Sequence, residues 1–519
     1  MLLVWLGVAG AGGPFAGKLS EVASNDASTF LPASAESTRA DEIYAEFRQS
    51  DAIPAIVVAE RADRITPDDL AFLATESAGP PPILSEDGQA AQMIVPIDSS
   101  VEVKDAVEDL RTALEGAPDG LTVYVTGPAG QAADLSAAFA GIDGLLLLVA
   151  GSVVLLILIV VYRSPLLPFI VIISAVFALA LASLIVYLLA DADVIALNGQ
   201  SQGIMFILVF GAATDYALLL VSRFREELRI QEDKYAAMRI AWRASLEPIA
   251  ASAGTVILGV LCLLLSDLNS NRGLGPVAAI GIATSFLASM TFLPAALVLL
   301  GRVSFWPNRP KYEPNLEHEN LEQAHRFWSR VASWVGSKPR PIWVVCSLVL
   351  VAFALLLPQF KASGVAASDL FLLQTDSQSG QQVLGEHFDA GSGSPTVIVA
   401  SESSLDSVTS AARIEGVTTV EPVTGPDGAP TVVDGRIAVQ ATLSDPADSL
   451  DAERTVERLR DAVHAVPGSD ALVGGPTAVD LDTKDTATRD RTLIIPMVAL
   501  VVLLVLIVLL RALVAPILL

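Results

Sequence analysis

The chain has 519 residues, 52% hydrophobic and 17% charged, with a formal net charge of −25. That balance excludes nucleic-acid binding, which needs a basic footprint. The apolar excess over soluble proteins is gathered into long uncharged runs separated by acidic stretches.

A helix needs about 20 apolar residues to cross the hydrocarbon core. Residues 1–17 are apolar, short and glycine-rich. No basic residue precedes Leu2, so they read as part of a first span rather than a signal peptide. Gly12 to Lys18 nearly spells a phosphate-binding loop, but Leu19 replaces the required Ser/Thr and no helix pattern follows. ATP binding is therefore rejected, and an ion gradient is the expected energy source.

Residues 18–144 are acidic and interleave strands with helices. Strands are predicted at 55–60, 93–98 and 121–126 and a helix at 101–114. Thr66-Pro67-Asp68-Asp69 opens another helix with a cap and proline at its first position. The interleaving predicts a small α+β domain of ferredoxin-like type.

Uncharged runs at 145–162, 166–190, 248–266 and 274–301 each fit a span. Residues 203–222 also fit, with one exception, Asp215. Asn198, Gln200, Ser201 and Gln202 read as a loop at the outer mouth of this fourth span, with a wet entrance as the alternative. Arg223–Arg243 mixes basic and apolar residues and reads as an amphipathic helix on the inner leaflet.

Residues 302–340 are a basic linker and 341–360 a seventh span. Residues 361–491 repeat the α+β pattern, with strands at 396–400, 436–443 and 471–473 and helices at 404–412 and 452–466. Residues 492–510 form an eighth span, and 512–519 read as the start of a ninth, where the sequence ends.

Cys262 and Cys346 lie in apolar runs without a CxxC partner and read as small buried hydrophobes. His318, His325, His387 and His464 are scattered, and Glu322 with His325 reads as solvated surface. No metal or cofactor is expected.

Basic residues set orientation. Arg163, the Arg223–Arg243 cluster, the 302–340 linker and Arg511 alternate onto one side, expected to be the cytoplasm. The other side receives 18–144, with 23 acids against 7 bases, and 361–491, with 21 against 9. Both α+β domains are thus expected to be extracytoplasmic.

An internal repeat relates the halves. Gly127/Gly475, Arg163/Arg511 and Pro168/Pro516 share one offset of 348. One unit is a span, an α+β domain and five more spans, and the second unit breaks off after its second span.

Several local motifs carry a family resemblance. They are Phe30-Leu31-Pro32 to Glu36-Ser37, Phe210-Gly211-Ala212-Ala213-Thr214-Asp215-Tyr216 followed by Arg223-Phe224-Arg225-Glu226-Glu227, Ser252-Ala253-Gly254-Thr255-Val256, and Leu293-Pro294-Ala295 through Gly301-Arg302 to Trp306-Pro307. Together they resemble the MMPL branch of the resistance-nodulation-division superfamily. The resemblance implies an α-helical multi-pass membrane protein with two extracytoplasmic porter-type α+β domains. It further implies proton-driven export of lipids or other hydrophobic or amphiphilic compounds from the plasma membrane, and no enzyme activity. Homo-oligomers or accessory membrane proteins are candidate partners besides the bilayer. Family members usually have twelve spans and a second Asp-Tyr pair in the tenth. The repeat places such a pair near position 563, beyond the sequence in hand.

Arg223 is eight residues after Asp215, about 12 Å along a helix, which places Asp215 near mid-membrane. Ionisable residues there are costly and mark function, so Asp215 reads as a proton carrier against the plainer alternative of an interhelix hydrogen bond. Tyr216 supplies an orienting phenol, and the small residues Gly211, Ala212 and Ala213 admit a neighbouring helix. Ser252 and Thr255 extend the relay or bond their own helix backbone. A sterol-sensing-like receptor and a partner-dependent inactive fragment are the competing readings.

Overall fold

The computed structural model describes residues 1–23, 31–47, 52–77, 79–98, 101–313, 326–357, 374–388, 391, 393–425 and 428–518. Glu322, His325 and His318 fall outside them.

Helix α1 (Leu2–Lys18) is followed by α2 (Glu36–Ala45). The near phosphate-binding loop thus lies within a helix, as the reading of residues 1–17 as a first span expects. Gly12 lies against the backbone carbonyl of Ala180, where a loop around a nucleotide has no room.

The first sheet domain comprises β1 (Ile53–Glu60), α3 (Pro67–Glu76), β2 (Ile83–Leu84), β3 (Ala90–Ile97), α4 (Val103–Leu114) and β4 (Thr122–Thr126). Its strands run antiparallel in the order β2-β3-β1-β4, with Ile53 opposite Ile97 and Ile56 opposite Thr126. This is the split βαβ order of ferredoxin-like domains. Thr66 and Asp69 close a reciprocal capping box at the start of α3. Val107, Leu110 and Leu114 form the apolar stripe that seats α4 on the sheet.

The helical bundle begins without a loop. α5 (Gly127–Tyr162) is one continuous helix that starts where β4 ends, well before the predicted span at 145. α6 (Leu166–Asp191), α7 (Gly199–Ile230), α8 (Lys234–Leu261) and α9 (Asn269–Leu300) follow. The predicted loop at 198–202 is instead the capped start of α7: Ser201 donates its backbone N–H to the Asn198 side chain at 2.7 Å. The predicted amphipathic helix Arg223–Arg243 is two helix ends. α7 stops at Ile230, and Asp233 caps α8 by accepting from the N–H groups of Tyr235 and Ala236. α10 (Arg326–Ser337) and α11 (Pro339–Ala354) complete this half.

The second half has α12 (Asp376–His387), β5 (Thr396–Ser401), α13 (Leu405–Ala411), β6 (Val417–Pro422), β7 (Val432–Val433), β8 (Arg436–Leu443), α14 (Leu450–His464), β9 (Leu472–Gly474), α15 (Pro476–Leu510) and α16 (Val514–Leu518). Its sheet repeats the first in the order β6-β8-β5-β9, with β7 paired to β8. Among the described residues six helices are long and apolar enough to cross a membrane, or seven if the bent pair α10–α11 counts as one. The protein is therefore a membrane protein.

The 348-residue repeat extends to the backbone. Gly127 and Gly475 both take positive φ, at 76° and 93°, where a strand turns directly into a long helix. Arg163 and Arg511 end those helices in the left-handed region, at φ 51°, ψ 36° and φ 48°, ψ 35°.

The two halves also exchange a helix. α2 packs on β9 and β5 of the second sheet, and α12 packs on β4 and β1 of the first. Tyr44 and Phe47 join Val397, Val399 and Ala438, while Val383 and Leu384 join Ile56, Val58 and Ala90. Burying one such side chain is worth roughly 1.5–3 kcal/mol, so each exchanged helix is held by its far partner. This covering explains why β1 is buried along its length from Ile56 to Ala59, on both faces.

Candidate functional site

Asp215 is the one charged residue between Gly199 and Ser222 of α7. Its face also carries Ile207, Gly211 and Leu219 at helical spacing, and Asp215 lies exposed on the surface of the bundle beside them. Tyr216 points inward, 2% exposed, in a core with Phe224, Ala253, Met290 and Leu293. Its hydroxyl is hydrogen-bonded to Ser252 of α8. Thr255, one turn further along α8, donates its hydroxyl to the carbonyl of Ala251 at 2.7 Å. The structure thus joins Tyr216 to Ser252, places Asp215 on the adjacent face of α7, and ties Thr255 to its own helix. Of the small residues, Ala213 is buried, while Gly211 faces open space.

α7 is held along its length. On α9, Ser285 and Ser289 donate to the carbonyls of Val209 at 3.2 Å and Ala213 at 3.5 Å. At its basic end, Arg302 donates to the carbonyls of Leu228 at 2.8 Å, Gln231 at 2.8 Å and Glu232 at 2.9 Å. A guanidinium there satisfies terminal carbonyls and complements the negative end of the helix dipole. Asp215 therefore rides on a helix held both before it, at Val209 and Ala213, and after it, at Leu228.

The sheet domains hold two matched polar clasps that the sequence reading missed. Arg111 of α4 pairs with Asp134 on the extension of α5 at 2.8 Å and with Asp376 of the exchanged α12 at 3.0 Å. Asp376 also accepts from the Val125 N–H at 2.8 Å, and Asp134 from the Ser377 N–H at 3.0 Å. In the second domain Arg460 of α14 pairs with Asp482 of α15 at 2.6 Å and with Glu36 of the exchanged α2 at 3.4 Å. Glu36 accepts from the Val473 N–H at 2.9 Å, and Asp482 from the Ser37 N–H at 2.9 Å. Asp134/Asp482 and Val125/Val473 stand at the repeat offset, the signal that would have found them. Burial works to raise the Asp134 carboxyl, but the Ser377 and Arg111 bonds outweigh it and hold it below its ordinary value.

Further along α15, Asp490 is 3% exposed. It accepts from the Ser266 hydroxyl and from the backbone N–H groups of Asp267 at 3.0 Å and Leu268 at 3.3 Å. A carboxylate from the second half thereby holds the turn that leads into α9 of the first. Among the described residues no group of three or more His, Cys, Asp or Glu is placed to hold a metal ion.

The MMPL family model matches residues 55–342 and 374–519. The membrane protein SCO0839 of Streptomyces coelicolor is 50% identical over 100% of this chain and 76% of its own length. The membrane protein ActII-3 of Streptomyces coelicolor is 43% identical over 100% of this chain and 74% of its own. The apo-petrobactin exporter of Bacillus anthracis is 29% identical over 80% of this chain and 60% of its own. The matched segments take in Asp215, the first clasp and Arg460 with Asp482 of the second, though not Glu36, and the chain belongs to the MMPL family.

Proposed function

We propose that the protein exports hydrophobic or amphiphilic compounds across the plasma membrane, driven by protons. The observation that carries this reading is Asp215, a lone carboxyl in the otherwise uncharged stretch Gly199–Ser222 of α7, next to the buried Tyr216 and its half-buried partner Ser252. In this reading Asp215 carries the proton. Tyr216 and Ser252 hold a polar strand through the bundle beside it, and Thr255 continues that strand as an acceptor. The charge bias supports placing the basic links in the cytoplasm and both sheet domains outside. The exporter named among the relatives agrees with the direction of transport.

The exchanged helices support a mechanical route between proton and cargo. α5 and α15 each run unbroken from a sheet domain into the bundle. The clasps bind each of them to the helix donated by the other half. A shift in the bundle would then move both sheet domains together.

The test uses inverted membrane vesicles loaded with the cell's own lipid extract and an imposed pH gradient. Accumulation of specific extract components should require the protein and stop when a protonophore collapses the gradient. Accumulation that continues after collapse would remove proton coupling from the proposal.

A further inference from the structure

A proline inside a helix removes the N–H that would bond the carbonyl four residues back, and its ring pushes that carbonyl aside. α9 carries Pro294 inside it, so the carbonyl of Met290 has no partner within its own helix. Pro294 belongs to the motif Leu293-Pro294-Ala295, which Asp215 and its neighbours leave without a role.

Another helix fills the gap. Trp242 of α8 donates its indole N–H to the Met290 carbonyl at 3.0 Å. The ring is half-buried and packs on the core that holds Met290 and Leu293. A buried carbonyl without a donor is costly, and the indole nitrogen is a donor only. One contact therefore satisfies both groups, and it does so at the place where proline lets α9 bend.

That place lies beside the proton site. Tyr216 shares its core with Met290 and Leu293, and Ser252, which bonds Tyr216, stands on α8 with Trp242. α8 thus touches both the neighbour of Asp215 and the weak point of α9. It has a break of its own at Pro248, between Trp242 and Ser252. On either side of Pro294, α9 and its end are tied to α7, by Ser285 and Ser289 before it and by Arg302 after it. Movement of α7 against α8 is then taken up at the gap between those ties.

We propose that α9 hinges between Met290 and Pro294 during transport and that Trp242 is the positioning residue that sets the hinge. The coupling to protons rests on the export reading above, and the hinge itself does not.

The test is a double-mutant cycle in the full chain, at matched protein levels in the membrane. Pro294→Ala returns an N–H to the Met290 carbonyl and stiffens the hinge. Trp242→Phe keeps an aromatic ring and removes the donor. Pro294→Ala should hold or raise thermal stability yet cut gradient-driven export about two- to tenfold, the span of one net hydrogen bond. Wild-type export in Pro294→Ala would overturn the hinge, because a merely structural proline gains from the restored bond. Trp242→Phe should lower both export and thermal stability in the wild-type background and neither in the Pro294→Ala background. Equal losses in both backgrounds would overturn the role of the carbonyl and leave Trp242 as packing alone. Fluorine NMR of the fluorotryptophan-labelled protein in nanodiscs reads the hinge without export, with the Trp242 line identified by its loss in Trp242→Phe. That line should shift in Pro294→Ala and in Asp215→Asn. A line unmoved by Pro294→Ala would overturn the hinge whatever export shows. A line that shifts in both variants while the unmodified protein exports nothing would support the hinge and refute the export reading.

Discussion

Replacing Arg460 by methionine keeps much of the apolar stem and removes the guanidinium. Asp482 and Glu36, 11% and 21% exposed, then lose their shared cation, which is itself 13% exposed. Breaking a buried pair by deleting one partner costs about 3–5 kcal/mol. Water reaches all three groups to some degree and screens the loss, so about 2–4 kcal/mol is expected here. Glu36 and Ser37 anchor the start of α2, so the loss should appear as local opening of that helix rather than of the whole protein. At 1.36 kcal/mol per tenfold, amide exchange in α2 should rise about 30- to 1,000-fold. Hydrogen–deuterium exchange with peptide resolution reads this directly. Arg111→Met should do the same to α12, less strongly, because Arg111 and Asp376 are 28% and 33% exposed. Arg460→Lys, which keeps the charge but loses the fork, should fall between wild type and methionine. Unchanged α2 exchange in Arg460→Met, or an equal response of α2 and α12, would refute the clasp reasoning.

Three other outcomes follow from the same geometry. Burial works to raise the Asp69 carboxyl, but bonds from Arg61 and Thr66 outweigh it and hold it below its ordinary value. A depressed folded value stabilises above about pH 4 and is lost as pH falls below that. Thermal unfolding of wild type should therefore drop more steeply below pH 4 than that of Asp69→Asn, and parallel curves would contradict it. Gly475→Ala adds a side chain at φ 93° with its Cβ 2.7 Å from the Pro395 carbonyl, whereas Gly435→Ala at φ 74° meets open space. Both bear the left-handed penalty of about 1–2 kcal/mol, and a loss of thermal stability no greater for Gly475→Ala would dismiss the close approach. A membrane-impermeant thiol reagent on intact cells should label Asp87→Cys but not Glu232→Cys, and the reverse would invert the proposed orientation.

Local signals were read well from sequence. The Thr66 cap, the strand at Arg436–Leu443 and the fourfold interleaving of strands with helices all depend on neighbours a few residues apart, and they stand as expected. What sequence hid was long-range. α2 and α12 are short polar helices whose apolar residues make sense only against a sheet hundreds of residues away. The extension of α5 above the bundle is rich in small residues, which do not distinguish helix from loop. Asn198 caps α7, yet its polar cluster reads equally as a loop, because such clusters serve caps and loops alike. Asp215 itself was legible as a lone charge in an apolar run. Its surface position was not, since helical period fixes which residues share a face but not which face is covered.

Proton-driven export through this site requires Asp215 to change its charge during turnover. Asparagine at that position keeps the size and hydrogen-bonding ability but cannot titrate, and glutamate keeps the charge but displaces it by about 1 Å. Export by vesicles under an imposed pH gradient, at matched protein levels in the membrane, should be abolished in Asp215→Asn, impaired in Asp215→Glu and weakened less in Tyr216→Phe. Near wild-type export by Asp215→Asn would contradict proton carriage at this site and favour a sensing role for the same fold.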